Sequence, residues 1–288
     1  MVDSNFASAI ARDAEADEKT LLIEIGPGTG CLTQALLALP SARVLAIEID
    51  RGLAALLRDT FSTEINAHRL TLLEGDALAG KHAFSSELVD TAQHISKTEN
   101  RPRKVLCANL PYNAATPLLA VGAIDEQRLE LSSAVATTQL ELAERMFASA
   151  GSGEYGALTA LLAMRSEGRI IRRVGGEIFW PRPQVDSAVI GLRYKKYSDG
   201  GKALPTELGS REETTGFQQF LQTLFSQRRK TVRSTLKLKT PLDRFGIDEN
   251  ARAEDMTPPQ LLALFRAVLP IAGRTVSASS QNHPPLST

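Results

Sequence analysis

The sequence predicts an α/β fold with a mainly parallel sheet, followed by a small all-helical C-terminal domain. Short apolar runs alternate with helical patterns through the first two thirds of the chain, as is typical of βαβ units. A glycine-rich turn, GPGTG, separates the first apolar run from the first helical pattern. Beyond residue 215, apolar residues recur only at helical spacing. These observations predict a sheet domain over residues 1–196, a linker over 197–215 and a helical domain over 216–271.

Each predicted strand is a short apolar run that ends at a polar or glycine-rich turn. The predicted strands are Leu21–Ile25, Ala42–Ile49, a run ending near Asp76, Lys104–Ala108, Leu131–Gln139, Arg169–Val174 and Ser187–Tyr194. Helices are predicted over residues 32–39, 51–61, 140–147 and 157–164. The polar stretch Lys81–Arg103 predicts an exposed loop or a short helix. Tyr197–Thr215, rich in Gly, Ser, Thr and charge, predicts the linker.

The C-terminal third predicts three helical segments and a disordered tail. The segments are FQQFLQTLFSQRR, TPLDRFG and TPPQLLALFRAVL, the last with Thr257 as its N-cap. The tail, residues 272–288, is rich in Ser and Pro and has no periodicity.

Composition excludes several classes of protein. A hydrophobic fraction of 43% and a charged fraction of 23% are those of an ordinary globular protein. No run of about 18 apolar residues is present, so no membrane span is expected. The acidic start lacks an apolar signal core, which predicts a cytoplasmic protein. Cys31 and Cys107 lack paired spacing and the four histidines lack ligand spacing, so neither a disulfide nor a metal site is expected.

A net charge of zero hides a basic run near the C-terminus. The stretch 226–240 contains no acidic residue, and its cations are Arg228, Arg229, Lys230, Arg233, Lys237 and Lys239. Such a patch is suited to a nucleic-acid phosphate backbone. A solvated helix face explains an isolated basic run at least as well.

The glycine turn, Gly26-Pro27-Gly28-Thr29-Gly30, predicts a cofactor site at the end of the first strand. Glycines there allow a tight turn and a close approach of the backbone to a ligand. A dinucleotide fingerprint would need a glycine at position 31, which is occupied by Cys31. Many nucleotide-binding folds use such a turn, but this spacing suits a cofactor without a pyrophosphate, such as S-adenosylmethionine.

Two carboxylates follow the next two strands. Glu48 lies about twenty residues after the glycines, where a carboxylate accepts hydrogen bonds from ribose hydroxyls. We favour this role over that of an ordinary strand-end acid. Asp76 is placed to accept from the adenine amino group of the cofactor, and capping of the following segment is an equally good explanation.

The sharpest feature is Asn109-Leu110-Pro111-Tyr112, directly after the fourth strand. The Asn109 side-chain oxygen and the Pro111 carbonyl are two acceptors for an exocyclic amino group, and Tyr112 offers a ring on which an extruded base stacks. A chance turn of Asn and Pro is the alternative. Phe179, in a proline-held loop, predicts a second stacking surface, or else an aromatic residue that plugs the sheet edge.

These residues predict methyl transfer to an exocyclic amine. A sulfonium methyl is already activated, so the enzyme mainly has to align donor and acceptor for in-line displacement. Acceptors around the amine stabilise the positive charge that develops on it and draw its lone pair out of ring conjugation. A nucleophilic Cys or Lys is not required.

Taken together, these blocks resemble the ribosomal RNA adenine dimethyltransferase family, and most closely its small-subunit branch. The matching blocks are IEIGPGTGCLTQALL, VLAIEIDRGLAALL, LLEGDAL, VLCANLPYNAATPLL, IFWPRPQVDSAVIGL and LFSQRRKTVRSTL. The resemblance implies a Rossmann-like class I methyltransferase fold, with S-adenosylmethionine as the cofactor. It implies N6-dimethylation of two adjacent adenosines near the 3′ end of 16S rRNA, by a monomer acting on the assembling 30S subunit.

The resemblance also implies residue roles. The cofactor site would include Gly26, Glu48, Asp76 and Asn109, and the base site would add Pro111, Tyr112 and Phe179. The helical C-terminal domain and its basic QRRKT segment would help to hold RNA, mainly through phosphates and shape. The four residues predicted to bind RNA are Arg228, Arg229, Lys230 and Arg233.

The chain departs from the family pattern at two places. Its start, Met1-Val2-Asp3-Ser4, resembles the residues just after a Gln-Asn-Phe-Leu block that covers the cofactor in the family. Either the start is assigned too late, or the chain has been shortened, or the lid is lost. Leu140 replaces the basic residue of a Gln-Lys-Glu run. Two alternative functions stay open: a 23S rRNA adenine N6-methyltransferase, and a catalytically impaired RNA-binding assembly factor.

Overall fold

Seven strands form one mixed sheet in the part of the chain that the computed structural model describes, residues 3–80, 83–110, 112–125, 128–178, 185–197, 207–238 and 241–272. The strands are β1 (Thr20–Ile25), β2 (Val44–Glu48), β3 (Leu70–Glu74), β4 (Arg103–Asn109), β5 (Leu131–Gln139), β6 (Ser166–Val174) and β7 (Ser187–Tyr194). Their order is β3-β2-β1-β4-β5-β7-β6. The first five strands pair in parallel, and β7 lies antiparallel between β5 and β6.

Helices cover both faces of the sheet. The helices are α1 (Ser4–Asp13), α2 (Cys31–Leu37), α3 (Arg51–Thr60), α4 (Ser62–Asn66), α5 (Ser86–Thr98), α6 (Tyr112–Ile124), α7 (Leu140–Met146), α8 (Ala157–Arg165), α9 (Arg211–Phe225), α10 (Val232–Leu236) and α11 (Pro258–Ala272). Apolar residues of α1, α2 and α3 pack on one face, and those of α5, α6 and α8 pack on the other. Coverage on both faces explains why every residue of β1 and β2 is buried. The prediction of a mainly parallel α/β sheet is confirmed.

Five helices differ from the sequence prediction, and two of them, α4 and α10, are five-residue helices that were not predicted. Residues 81–103, expected as a loop or a short helix, contain the 13-residue α5, which Ser85 caps by accepting from the Leu88 N–H. Helix α1 was not predicted; its amphipathic face buries Ile10 beside two alanines. Helix α6 was missed because it is apolar on all sides and contains Pro117, so it shows no helical periodicity.

The linker prediction extends too far, because α9 already begins at Arg211. Ser210 caps this helix by accepting from the Glu213 N–H, and Thr214 is fully buried, so residues 211–215 belong to the packed helix. The segment TPLDRFG forms a short 3₁₀ turn over Leu242–Phe245. The C-terminal helix ends at Ala272, and the predicted tail beyond it lies outside the described residues.

The C-terminal helices share their core with the sheet domain. Helix α9 packs on α6 and α8, and α11 packs on α8 and α9. Phe217 stacks on Phe220 with ring centroids 6.4 Å apart and meets Phe265 edge-on at 5.5 Å. The helical part is therefore held to the sheet by a continuous apolar contact.

None of the helices within the described residues is long and apolar enough to cross a membrane.

Candidate active site

The glycine turn lies between β1 and α2, at the carboxyl edge of the sheet where ligands bind in open α/β folds. Gly26, Gly28 and Gly30 have φ values of 68°, 61° and 85°, a region that disfavours residues with a Cβ. A Cβ at Gly26 or Gly28 would meet no described atom within 4 Å, whereas one at Gly30 would lie 2.6 Å from a ring carbon of Phe61. The first two glycines therefore face open space, and the third allows α2 to pack against Phe61.

Sheet register aligns the predicted site residues across three strands. Glu24 of β1 pairs with Ala46 on one side and with Cys107 on the other. Two residues further along, the same register places Gly26 between Glu48 and Asn109. Neighbouring strands lie about 4.8 Å apart, so the structure brings these three predicted residues together.

The Glu48 carboxylate holds the glycine turn in place through hydrogen bonds. One carboxylate oxygen accepts from the Gly28 N–H and the other from the Asp50 N–H, both at 2.9 Å. Glu48 is only 4% exposed. Because each carboxylate oxygen has a second lone pair, these bonds leave acceptor capacity for ribose hydroxyls, the role predicted from the sequence.

Asp76 lies two residues beyond the end of β3. One of its oxygens accepts from the Leu78 N–H at 2.9 Å, which is the local capping that the sequence left open. This hydrogen bond fixes the Asp76 carboxylate at the same edge of the sheet as Glu48. The second carboxylate oxygen has no hydrogen-bond partner among the described residues, so it is available to a ligand. The prediction that Asp76 contacts adenine stays untested.

Asn109 is the last residue of β4 and is half-buried. The following Leu110 N–H donates to the Thr137 carbonyl of β5 at 3.1 Å, which fixes the start of the NLPY turn. Pro111 and Phe179 lie outside the described residues, and only the main chain of Tyr112 is described, as the first residue of α6. Their predicted contacts to a base stay predictions.

Sequence reasoning missed Ile49, which follows Glu48 directly. Its side chain is 65% exposed, the largest exposure among the bulky apolar residues of the described chain. An exposed isoleucine at the carboxyl end of a parallel strand provides an apolar surface beside the glycine turn. The signal was present, because the apolar run VLAI is followed by a further apolar residue, Ile49, directly after the carboxylate of Glu48.

Sequence reasoning also missed Glu24, which lies beneath the glycine turn. It is 1% exposed, and one carboxyl oxygen has no hydrogen-bond partner among the described residues. Burial raises the pKa of Glu24 to about 8. The Thr33 hydroxyl lowers this pKa, and the negative charge of Glu48 raises it further. Glu24 therefore holds a proton at neutral pH.

We expect the stability of the protein to fall as the pH rises from about 5 to about 8. The ordinary pKa of 4.5 applies to Glu24 in the unfolded chain, and the folded value is about 8. Between these two pKa values the folded protein binds a proton that the unfolded chain does not. The resulting stabilisation is complete below pH 4.5, the pKa in the unfolded chain, and is lost as the pH rises through about 8, the pKa in the folded protein. The slope is at most about 1.4 kcal/mol per pH unit. Urea unfolding across this range should give a flatter profile for Glu24→Gln than for the exposed control Glu18→Gln; equal slopes would contradict the prediction.

The four predicted RNA-binding cations divide into two kinds. Arg228 donates to the Gly153 and Tyr155 carbonyls at 2.9 and 3.0 Å and pairs with Glu254 at 3.1 Å. Arg233 pairs with Glu249. Arg229 and Lys230 are exposed and have no ion pair with a described residue. The first kind holds the basic segment in place, and the second is available for phosphates.

The anchor of Arg228 also fixes where this segment lies. Gly153 and Tyr155 belong to the loop between α7 and α8, and α7 begins at the carboxyl end of β5. Arg229 and Lys230, which follow Arg228 directly, are thereby held beside this loop. A cationic surface of this kind suits a large anionic substrate.

The residues at this edge fit S-adenosylmethionine. The open space above Gly26 and Gly28 gives room for a ligand against bare backbone, Glu48 offers acceptors for hydroxyls, and Asn109 offers a side-chain amide beside them.

Comparison with known proteins agrees with this geometry. The family model described as ribosomal RNA adenine dimethylase matches residues 1–268. The chain is 32% identical to the ribosomal RNA small subunit methyltransferase A of Bifidobacterium longum strain DJO10A over 93% of this chain and 85% of the relative. It is 36% identical to the protein of the same name from Azorhizobium caulinodans, with the same coverage.

Two solved structures share the fold. A dimethyladenosine transferase from Plasmodium falciparum superposes with a TM-score of 0.67 at 22% identity, covering 94% of this chain and 98% of the other. The 23S rRNA methyltransferase ErmE gives 0.59 at 23% identity, covering 92% and 97%. The predictions of a methyltransferase fold, an adenine-dimethylating enzyme and S-adenosylmethionine as cofactor are confirmed. With its family model matched over nearly the whole chain, this protein belongs to the ribosomal RNA adenine dimethylase family.

Proposed function

We propose that this chain methylates N6 of two adjacent adenosines near the 3′ end of 16S rRNA, in the assembling 30S subunit. The observation that carries the proposal is the likeness to small-subunit methyltransferases over 93% of the chain, at 32% identity in one case and 36% in another. The alignment of Gly26, Glu48 and Asn109 at one sheet edge supports it. A cytoplasmic monomer fits the same role.

The residues of the carboxyl edge divide the work between cofactor and base. Gly26, Gly28, Glu48 and Asp76 would hold S-adenosylmethionine, which when bound supplies a methyl group that is already electrophilic. Asn109 accepts a hydrogen bond from the adenine amino group and so fixes the direction of its lone pair. As positive charge develops on the nitrogen, the same acceptor stabilises it. The proton that the nitrogen loses passes to water.

Base stacking and a second acceptor complete the proposed site. Tyr112, the last residue of the NLPY turn, is the first residue of α6, so its position in the chain is within reach of the base held by Asn109. Stacking on aromatic rings compensates for the unstacking of an extruded adenosine. Phe179 and the Pro111 carbonyl would supply the opposite stacking surface and the second acceptor.

Primer extension on rRNA from a deletion strain tests this function, because dimethylated adenosines block reverse transcriptase. Loss of the 16S stop in the deletion strain, with its return on complementation by this chain, is the expected result. Loss of a 23S stop would instead establish the large-subunit activity. Purified chain incubated with labelled S-adenosylmethionine and unmethylated 30S subunits should incorporate label into 16S rRNA, and no incorporation would contradict the proposal.

Removal of Arg229 and Lys230, two exposed cations of the basic segment without an ion pair to a described residue, should weaken RNA binding without loss of stability. We expect the Arg229→Ala/Lys230→Ala variant to keep the wild-type melting temperature and to lower the salt dependence of 30S binding by about one unit per cation. Arg228→Ala should lower the melting temperature, because it removes hydrogen bonds to two carbonyls and the pair with Glu254. Filter binding across salt concentrations and thermal denaturation separate the two. Unchanged binding by the double variant would refute the assignment.

A further inference from the structure

Two consecutive threonines near the carboxyl end of β5 have buried hydroxyl groups without a hydrogen-bond partner. Thr137 is 2% exposed and Thr138 is 1% exposed, and neither Oγ1 atom has a partner among the described residues. Burial of an unpaired hydroxyl is unfavourable, so each such group in a folded protein needs an explanation. The methyl-transfer chemistry described above uses neither threonine.

The two threonines lie on opposite faces of the sheet, because side chains alternate along a strand. Val135 packs in the apolar cluster on the α1 and α2 face, whereas Ala136 packs in the cluster on the α6 and α8 face. Thr137, two residues after Val135, therefore lies on the first face. Thr138, two residues after Ala136, lies on the second.

Thr137 is the neighbour of Asn109 across the sheet. The two residues pair in parallel register, and the Leu110 N–H, which donates to the Thr137 carbonyl at 3.1 Å, holds the strands together at this point. Cys107, two residues before Asn109, packs in the same cluster as Val135, so the side chains of Asn109 and Thr137 lie on one face. With neighbouring strands about 4.8 Å apart, the amide and the hydroxyl are adjacent in one row.

The other strand beside β5 offers these hydroxyls no polar side chain. On β7, Thr137 pairs with Val189 and Thr138 pairs with Ala188, and both of these residues are apolar and fully buried. The register therefore places one polar side chain, that of Asn109, beside Thr137. This asymmetry makes Thr138 a natural reference for Thr137.

We propose that Thr137 is a positioning residue for methyl transfer, whose hydroxyl accepts a hydrogen bond from Nδ2 of Asn109 when adenine is bound. The inference rests on the proposed role of Asn109 as acceptor for the adenine amine. The Asn109 amide has one acceptor oxygen and one donor nitrogen, and its last torsion has two orientations of nearly the same shape. With Nδ2 turned to Thr137 on β5, Oδ1 faces Gly26 on β1, the side of the cofactor site.

The Thr137 hydroxyl acts through Asn109 and does not contact the substrate, because its oxygen is buried. In the structure the two side chains are not hydrogen-bonded to each other, and hydrogen bonds of catalytic groups often form only when the substrate is in place. If the hydroxyl instead donated to Oδ1, Nδ2 would face the adenine amine and two donors would meet. The bound amine therefore favours the arrangement in which Thr137 accepts.

Single-turnover methylation of 30S subunits by the full chain, with Thr137→Val and Thr138→Val as a matched pair, tests this role. Each substitution removes a buried hydroxyl without a partner, so both variants should keep the wild-type melting temperature. Thr137→Val should lower the maximal rate about tenfold and leave the half-saturating concentrations of 30S and cofactor unchanged. Thr138→Val should keep the wild-type rate, and Thr137→Ser, which retains a hydroxyl, should recover most of it. Equal maximal rates for the two valine variants would overturn the proposal.

The Asn109→Ala variant separates failure of this inference from failure of the proposed function. If Thr137 acts through Asn109, Thr137→Val should cause no further loss of rate in the Asn109→Ala background. A further tenfold loss in the double variant would overturn the positioning role. A slow Asn109→Ala variant with a normal Thr137→Val variant would overturn this inference alone, whereas a wild-type rate for Asn109→Ala would remove the proposed role of Asn109 as well.

Discussion

Asn109→Ala is expected to slow methyl transfer to 30S subunits by about 10²–10³-fold, the range found when one stabilising hydrogen-bond partner is removed from a transition state. Asn109 ends β4 and lies beside Gly26 at the carboxyl edge, so its side chain is the described acceptor best placed for the adenine amine. Because the amide accepts from the reacting nitrogen, the loss should appear mainly in kcat. Single-turnover methylation with labelled S-adenosylmethionine measures it.

The control for this substitution is Asn66→Ala, at an exposed position at the end of α4. It should leave the rate unchanged. Circular dichroism and thermal denaturation should show Asn109→Ala folded, since the side chain is only half-buried. A variant with wild-type kcat would exclude Asn109 from the chemistry. A variant with a raised KM for the RNA and a normal kcat would assign it to binding alone.

Gly30→Ala is expected to lower the free energy of unfolding by about 2–4 kcal/mol, by strain at a positive φ and by overpacking. Its Cβ would lie 2.6 Å from Phe61 and 3.0 Å from Leu57, two side chains that pack against α2. Gly28→Ala has the same backbone strain at φ 61° but no described atom near its Cβ, so its stability loss should be about 1–2 kcal/mol. The difference between the two variants measures the contacts with Phe61 and Leu57.

Urea unfolding of the two glycine variants, together with calorimetric titration of S-adenosylmethionine, separates packing from ligand contact. Gly28→Ala should lose most cofactor affinity while it stays folded, because its Cβ enters the space expected for the ligand. Phe61→Ala should cost less stability in the Gly30→Ala background than in wild type, because the two substitutions share one contact. Equal destabilisation by both glycine variants would mean that Phe61 does not constrain the turn.

The strand ends were predictable because parallel strands buried on both faces read as short apolar runs. That alone located Gly26, Glu48 and Asn109, and the rule that parallel strands share a carboxyl edge brought them together. The double contact of Glu48 with two backbone N–H groups was not predictable, since it depends on the exact path of the glycine turn. The Glu48 carboxylate holds the turn and is also predicted to bind the ligand. A sequence pattern shows that a carboxylate is present, but not which hydrogen bonds it makes.

Two kinds of feature were not predicted: a helix without hydrophobic periodicity, and side-chain contacts between residues that are far apart in the sequence. Helix α6 is apolar on all sides, so no amphipathic signal marks it. The basic run predicted four equivalent RNA contacts, yet Arg228 reaches a loop 73 to 75 residues away and Arg233 an acid 16 residues away. Such long-range hydrogen bonds and ion pairs depend on tertiary structure, so a charge count cannot distinguish an anchoring arginine from an unpaired one.

Pro117 weakens the attachment of the first turn of α6 to the rest of the helix. Proline has no N–H, so the carbonyl of residue 113, one turn earlier, lacks its helical hydrogen bond. The first turn of the helix, which starts at Tyr112, is therefore tied to the rest by one bond fewer than the turns that follow. Amide protons at the start of α6 should exchange with solvent faster than those near Val121, through local fraying and without unfolding of the sheet. The residue expected to stack on the substrate base thus sits on the part of the helix that opens most easily.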